Sequence, residues 1–454
     1  MAYYILKSYK LRVDPFSVFA AFKDEKNSFF LDSSLTRGGA GRYSFIGADP
    51  FYVLKSGRRD PLPDLRKRLN EYRLSIPGNC IPFLGGALGY VTYDLGVGFE
   101  TSVCRRQKES LAIPESYFAF YNTMVIIDNL TRKLFIFSAG FPEKKLSAAK
   151  ALCESNFKKI VSMLSRVTAY HSVPRKYSQR RVSGGFRSNF SKEAYCRAVK
   201  KAKAYIKRGD IYQVNLSQRF CGPCRDDAVS IYERLRRISP SNFSAYFDAG
   251  DFQVLSSSPE RFLSLRKDRV ETSPMKGTRP RSKSKAYDLK LKKELLSSDK
   301  DRAELVMIVD LERNDLGRVC AYGSVKVKRL RTLEEYTTVF QTTATVEGRL
   351  RHDKDRVDLM KACFPGGSIT GCPKIRAMEI IDELEPLGRS LYTGSLGYFS
   401  FSGEMDFNIL IRTIVKRNNK VYFGVGGGIV ADSDPEKEYR ETLVKARAMF
   451  EAIT

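Results

Sequence analysis

Histidine is nearly missing from this 454-residue chain, which has only His171 and His352, and tryptophan is absent altogether. Two His so far apart argue against a His-rich zinc site and against a Ser-His-Asp triad. Acid–base and nucleophilic chemistry must then fall to carboxylates, Lys, Tyr or Cys. The nine Cys are an odd number without framework spacing, so they read as reduced cytosolic thiols. No run approaches the roughly eighteen apolar residues of a transmembrane helix. The opening MAYYILKSYKLRVDPF lacks a basic region followed by an unbroken apolar one, so it does not read as a signal peptide. A cytoplasmic protein without a membrane span is expected.

Positive charge, by contrast, is abundant, with a formal net charge of +27. With 43% hydrophobic and 28% charged residues the chain is nonetheless globular in composition rather than disordered. Basic residues cluster at Arg279, Arg281, Lys283, Lys285, Lys290, Lys292 and Lys293. Such a cluster can bind phosphate backbones by counterion release, yet no RNP-type aromatic strand, zinc finger or basic zipper accompanies it. A Lys/Arg bias over solvated faces, or a field steering an anionic small substrate, accounts for it better. No nucleic-acid partner is expected.

Residues 1–165 read as an α+β unit, with strands near Ser28 to Asp32, Tyr43 to Ile46, Phe83 to Tyr93 and Met124 to Ile127, then a helix over Lys144 to Ser165. Residues 166–188 turn polar and basic and are taken as a linker. In residues 189–454 a helix capped by Ser191 precedes a strand at Asp210 to Phe220. Further alternation ends in strands at Phe407 to Lys416 and Lys420 to Ile429 and a helix from Pro435 to Ile453. Neighbouring antiparallel strands with helices between them predict an α+β fold with packed sheets, not a doubly wound parallel one.

Three motifs fail on inspection. Cys221-Gly-Pro-Cys224 precedes Arg225-Asp226-Asp227, whose carboxylates oppose a thiolate, so it reads as a turn. Gly366-Gly-Ser-Ile-Thr-Gly371 is followed by Cys372-Pro373-Lys374, and Pro373 removes an amide that a phosphate cradle would use. Gly424-Val-Gly426-Gly427-Gly428-Ile429 has Ile where a dinucleotide fingerprint needs its last Gly.

Other segments converge on one chemistry. In Ser273-Pro-Met-Lys276-Gly-Thr278-Arg279-Pro-Arg281, burial and cationic neighbours would favour a neutral, nucleophilic Lys276; standing alone, the segment reads rather as a solvated Lys in a basic turn. Glu304 opens an acidic helix, and Glu438 and Glu441 lie three residues apart on one helical face. Their oxygens suit Mg²⁺, although such pairs are commonly plain surface. Gly426, Gly427 and Gly428 let backbone amides approach a carboxylate, and Arg412 on the preceding strand offers a bidentate partner.

In this order the segments resemble component I of the chorismate-utilising amination enzymes, over nearly the whole chain. The resemblance runs through FLDSSLTRGGAGRYSFIGADP (30–50), PFLGGALGYVTYDLG (82–96), GDIYQVNLSQRF (209–220), SSSPERFL (256–263) and SPMKGTRPR (273–281). It continues in DRAELVMIVDLERNDLGRVC (301–320), FPGGSITGCPKIRAMEIIDELEP (364–386), GSLGYFSF (394–401), FNILIRT (407–413) and FGVGGGIVADSDPEKEYRET (423–442). It implies two packed, mainly antiparallel sheets with helices outside, and a chorismate-binding catalytic domain over 189–454.

Within that family, water-using members carry a Lys base at the place of Gln213, so Gln213 implies an ammonia user. Anthranilate synthases typically have Ala where this chain has Lys276, and a Lys there marks the aminodeoxychorismate branch. Asn215-Leu216-Ser217 and Gly366-Gly367-Ser368-Ile369 point the same way. Leu31-Asp32-Ser33-Ser34 departs from the LLES pattern with which feedback-regulated anthranilate synthases bind tryptophan.

By resemblance, Mg²⁺ is held by Glu304 and Glu441, with Glu438 directly or through water. The Gly427 and Gly428 amides orient the ring carboxylate, Arg412 and Tyr398 hold the enolpyruvyl side, Lys276 is the nucleophile and Thr278 lies against substrate. Most relatives have His where this chain has Gln341. Gln donates a hydrogen bond but no proton, so acid assistance would pass to a metal-bound carboxylate or Lys374. No G-x-C-x-G nucleophile occurs, so a separate glutamine amidotransferase or free ammonia is expected to supply nitrogen. No lyase domain is recognised either, which implies release of the aminated product.

Overall fold

The computed structural model describes residues 3–35, 41–100, 103, 108–167, 185–336 and 339–454. Two antiparallel sheets dominate it. The first runs in the order Tyr4–Lys10, Lys133–Ala139, Thr123–Asp128, Tyr43–Gly47, Phe29–Asp32, Phe243–Asp248, Gln253–Ser258, Thr413–Arg417, Lys420–Ile429, Gln213–Pro223, Gly371–Cys372. The second runs Met275–Pro280, Val339–Arg349, Arg269–Ser273, Arg261–Arg266, Met405–Asn408, Ser395–Ser400, Gly86–Val91, Ser116–Tyr121, Tyr52–Ser56. The α+β expectation of packed, mainly antiparallel sheets with helices outside describes this architecture.

Both sheets draw strands from either side of residues 166–188. In the first, Tyr246 pairs with Phe30; in the second, Ser395 pairs with Val91. Most of the expected linker, residues 168–184, lies outside the described residues, and Arg187–Ser188 already pairs with Cys221 and Phe220.

Strand periodicity explains why the first sheet reads as unbroken apolar runs. Successive side chains point to opposite faces, and both faces are covered. Phe29, Phe45 and Val254 enter a core drawn from both sheets. Their neighbours Phe30, Ile46 and Leu255 enter a second core. That second core packs under the helices Pro15–Ala20, Leu146–Ser165, Ala228–Ile238 and Pro435–Ile453. Ser191 caps the helix Lys192–Lys207 as expected, accepting from the Ala194 amide at 3.1 Å. No helix among the described residues is long and apolar enough to cross a membrane.

Two expectations need correction. Cys221, Gly222 and Pro223 are not a turn: they extend the strand Gln213–Pro223, opposite Tyr422, Val421 and Lys420. Pro223 is tolerated because it is the strand's last residue, where a missing N–H costs little. The basic cluster is also less free than its sequence implies, because part of it forms the helix Lys285–Ser297. Arg279 pairs with Glu294 and Asp301, Arg281 with Asp288, and Lys292 with Glu335.

Gly89 marks the tightest approach in the second sheet: a Cβ there would lie 1.7 Å from the Tyr117 carbonyl oxygen. Backbone must move to admit it, so Gly89→Ala is expected to cost about 2–4 kcal/mol. Because the sheets are continuous, a denaturant melt should show that loss as one shifted transition; two separate transitions would contradict a shared core.

Candidate active site

Lys276 lies on Met275–Pro280, at one end of the second sheet, and pairs with Thr342, while Thr278 pairs with Gln341. A bulge falls between the two, at Gly277, whose φ is +70°. A Cβ there would meet Leu295 Cδ1 at 2.9 Å and Asp301 Cβ at 3.1 Å, so glycine alone fits. Bulges re-aim side chains: Lys276 is half-buried, whereas Thr278 is exposed. The Lys276 ammonium makes no hydrogen bond among the described residues. Burial pushes its pKa below 10.5; Glu304, Glu260 and Glu441 oppose that shift, and Lys445 reinforces it.

The three expected acidic residues come from two helices. Glu304 rides on Asp299–Gly317, and Glu438 and Glu441 on Pro435–Ile453. Burial raises the pKa of Glu304 and of Glu438, and the neighbouring Glu441 charge raises Glu438 further. Lys445 lies 2.8 Å from Glu441 and lowers its pKa, while donating to the Gly426 carbonyl at 2.9 Å. Ser433 donates to Glu438 at 2.6 Å. Among the described residues no group of three or more His, Cys, Asp or Glu side chains is arranged to hold a metal ion. Carboxylate oxygens are the donor type Mg²⁺ takes, one or two at a time beside waters and substrate oxygen, so the donor chemistry, rather than a formed cage, is what the three residues offer.

The glycine strand serves both of its faces. A Cβ on Gly427 would lie 3.2 Å from Glu438 Oε2. On Gly428 it would meet Gln213 Nε2 at 3.0 Å, and on Gly426 Asn215 Oδ1 at 3.0 Å. Gln213 is fully buried with neither amide atom partnered among the described residues, and Asn215 Oδ1 is likewise without a partner there. Buried groups left this way are uncommon and call for an explanation, such as a ligand bound against this face of the paired strands.

Arg412 adopts φ +50°, and its guanidinium has no ion pair among the described residues. Burial lowers its pKa, against the influence of Tyr336 and Glu260. An unpaired cation in such surroundings suits an anionic ligand. Gln341 donates to Thr278 Oγ1 at 3.3 Å, and its own buried Oε1 has no partner among the described residues.

Glu260 is the residue that sequence reasoning missed. It is 5% exposed, accepts from Ser368 Oγ at 2.6 Å, and is electrostatically coupled to Lys276 and Arg412. Burial pushes its pKa up to about 7, so this carboxyl can hold a proton near neutral pH, which Gln341 cannot. Its only sequence signal was a carboxylate inside SSSPERFL.

Two expected residues are not brought to this group. Lys374 is buried and donates to Asp315 at 2.6 Å and to the carbonyls of Pro365 and Cys363 at 3.1 and 3.2 Å, which uses its three protons. Tyr398 stacks on Phe83 at 4.3 Å and lines a separate cavity of about 120 Å³ with Arg261, Arg266 and Asp406. Its strand is five places from that of Lys276 in sheet order. The tyrosine at the glycine strand is Tyr392, whose ring occupies the space beside Gly424.

The Glu260 pKa has a testable sign. Between pH 4.5 and about 7 the unfolded carboxyl ionises while the folded one stays protonated, so stability falls as pH rises through that window. Glu260→Gln removes the loss. The variant should be more stable than wild type at pH 8, by up to about 3 kcal/mol, with the gap narrowing at pH 5 in denaturant melts. Equal gaps at both pH values would contradict this.

Known proteins place the site in context. A family profile described as chorismate binding enzyme matches residues 27–451. Anthranilate synthase component 1 of Acetivibrio thermocellus is 38% identical over 461 residues, covering 97% of this chain and 92% of its own. Aminodeoxychorismate synthase component 1 of Klebsiella aerogenes is 40% identical over 402 residues, covering 88% and 84%. The crystal structure of anthranilate synthase component I from Streptococcus pneumoniae TIGR4 superposes with a TM-score of 0.77 at 30% identity, covering 92% of this chain and 94% of that one. With a chorismate-binding profile matching residues 27–451 and relatives 38% and 40% identical over most of their length, the chain belongs to the chorismate-binding enzyme family.

Proposed function

We propose that the chain is an aminodeoxychorismate synthase component I, replacing the C4 hydroxyl of chorismate with an amino group from ammonia. The observation that carries this reading is Lys276, a half-buried amine with a lowered pKa where anthranilate synthases typically have Ala. Arg412 and the glycine-strand amides bind the substrate carboxylates. The Lys276 amine bonds to ring C2 as the C4–O bond breaks, and Glu260 gives the departing hydroxyl its proton so that water leaves. Ammonia then bonds to C4, the C2–N bond breaks, and Lys276 is released as the free amine. The surplus proton on the incoming nitrogen returns to Glu260.

Glu304 and Glu441, with Glu438 directly or through water, would hold Mg²⁺. The ion would withdraw electron density from the ring carboxylate and fix its place. Nitrogen comes from a separate glutamine amidotransferase or from free ammonia.

A second reading, anthranilate synthase component I, is favoured by the Acetivibrio relative's 38% identity over 97% of this chain. Incubation with chorismate, Mg²⁺ and ammonium separates the two: 4-aminobenzoate after addition of the lyase supports the first, and anthranilate fluorescence overturns it. No turnover together with salt-sensitive oligonucleotide binding would instead indicate a scaffold. Lys276→Ala should abolish the covalent adduct seen by mass spectrometry and slow turnover about a thousandfold, on the order of 4 kcal/mol of barrier. An adduct that persists in that variant would falsify Lys276 as nucleophile.

A further inference from the structure

Arg389 and Glu385 form a buried ion pair outside the groups assigned to chemistry. Their side chains are 2% and 4% exposed, and the guanidinium lies 4.6 Å from the Tyr93 ring centroid. Arg389 spends its donors in three directions. Nη2 and Nε donate to Glu385 at 2.7 and 2.9 Å. Nη2 also donates to the Asn215 carbonyl at 2.7 Å. Nη1 donates to the Ile369 carbonyl at 2.9 Å and to Thr393 Oγ1 at 3.3 Å. Glu385 Oε1 accepts in turn from the Ser217 amide at 2.8 Å and its hydroxyl at 2.9 Å. One pair thus joins the strand bearing Gln213 and Asn215, the turn bearing Ser368, and the segment bearing Tyr392.

Stability alone does not account for such a pair, because well-packed apolar residues often do as well. What apolar residues cannot do is fix carbonyls at a set spacing, as a planar guanidinium does. Holding the Asn215 carbonyl holds its strand, and with it the side chains of Gln213 and Asn215 over Gly428 and Gly426. Holding the Ile369 carbonyl holds Ser368, the hydrogen-bond donor to Glu260.

We propose that Arg389 and Glu385 are positioning residues that set the nitrogen-accepting end of the site, acting through Gln213 and Asn215 on one side and Ser368 and Glu260 on the other. The inference rests on an aminating enzyme, but not on which aminated product it makes. Arg389→Lys keeps the charge but cannot span Glu385 and both carbonyls. In the full-length protein with ammonium as nitrogen source, kcat/KM for ammonium should fall about tenfold or more. The KM for chorismate should stay within about twofold. Amide exchange should quicken selectively at residues 213–217 and 367–370.

Ser217→Ala removes one bond of the clamp and should move the ammonium term the same way by roughly two- to fivefold, which keeps the test open if Arg389→Lys does not fold. Folded variants with lowered melting midpoints but unchanged ammonium kinetics and no selective exchange would overturn the proposal. Anthranilate as the wild-type product would overturn the aminodeoxychorismate reading and leave the clamp standing. With a wild type inert toward ammonium, the exchange pattern alone decides: selective loosening supports the clamp and unchanged exchange overturns it.

Discussion

The rest of the site depends on burying one amine. Lys276 sits among Glu304, Glu260 and Glu441 on one side of the balance and Lys445 on the other, with burial the largest influence. Water removal favours the neutral amine, and the carboxylates restrain how far that shift goes. Without burial Lys276 would be an ordinary surface ammonium, and without the carboxylates nothing would restrain the fall of its pKa.

Architecture makes that burial possible. Lys276 lies at one end of the second sheet, while the glycine strand belongs to the first, beside Gln213–Pro223. Glu304 and the Glu438–Glu441 pair reach the same place from two helices. A single glycine, Gly277, bulges the Lys276 strand where helix residue Asp301 and Leu295 leave no room for a Cβ. Because both sheets contain strands from the first and last thirds of the chain, the site is held by a core that neither region supplies alone.

How much of this was legible in the sequence follows from distance along the chain. The α+β character and most strands were readable, because apolar runs and turn residues act locally. Lys276, Glu304, Glu438, Glu441 and the glycine strand could be singled out as candidates, since each stands out within one element against a basic background. Glu260 and the Arg389–Glu385 pair were not, because their roles arise from partners more than a hundred residues away, Ser368 in one case and Asn215 and Ser217 in the other. Tyr398 and Tyr392 lie six residues apart in one segment, and only the packed fold tells which one meets the glycine strand. Lys374 was a candidate for acid assistance to the leaving hydroxyl, but Asp315 and two carbonyls account for all its protons.

The most direct test of the buried amine is its own titration, followed by NMR of ε-labelled lysine in metal-free buffer. The account predicts that Lys276 titrates below its ordinary 10.5, and lower still in Glu304→Gln, where an opposing negative charge is gone. A Lys276 that titrates at or above 10.5, or that rises when Glu304 is neutralised, would contradict it.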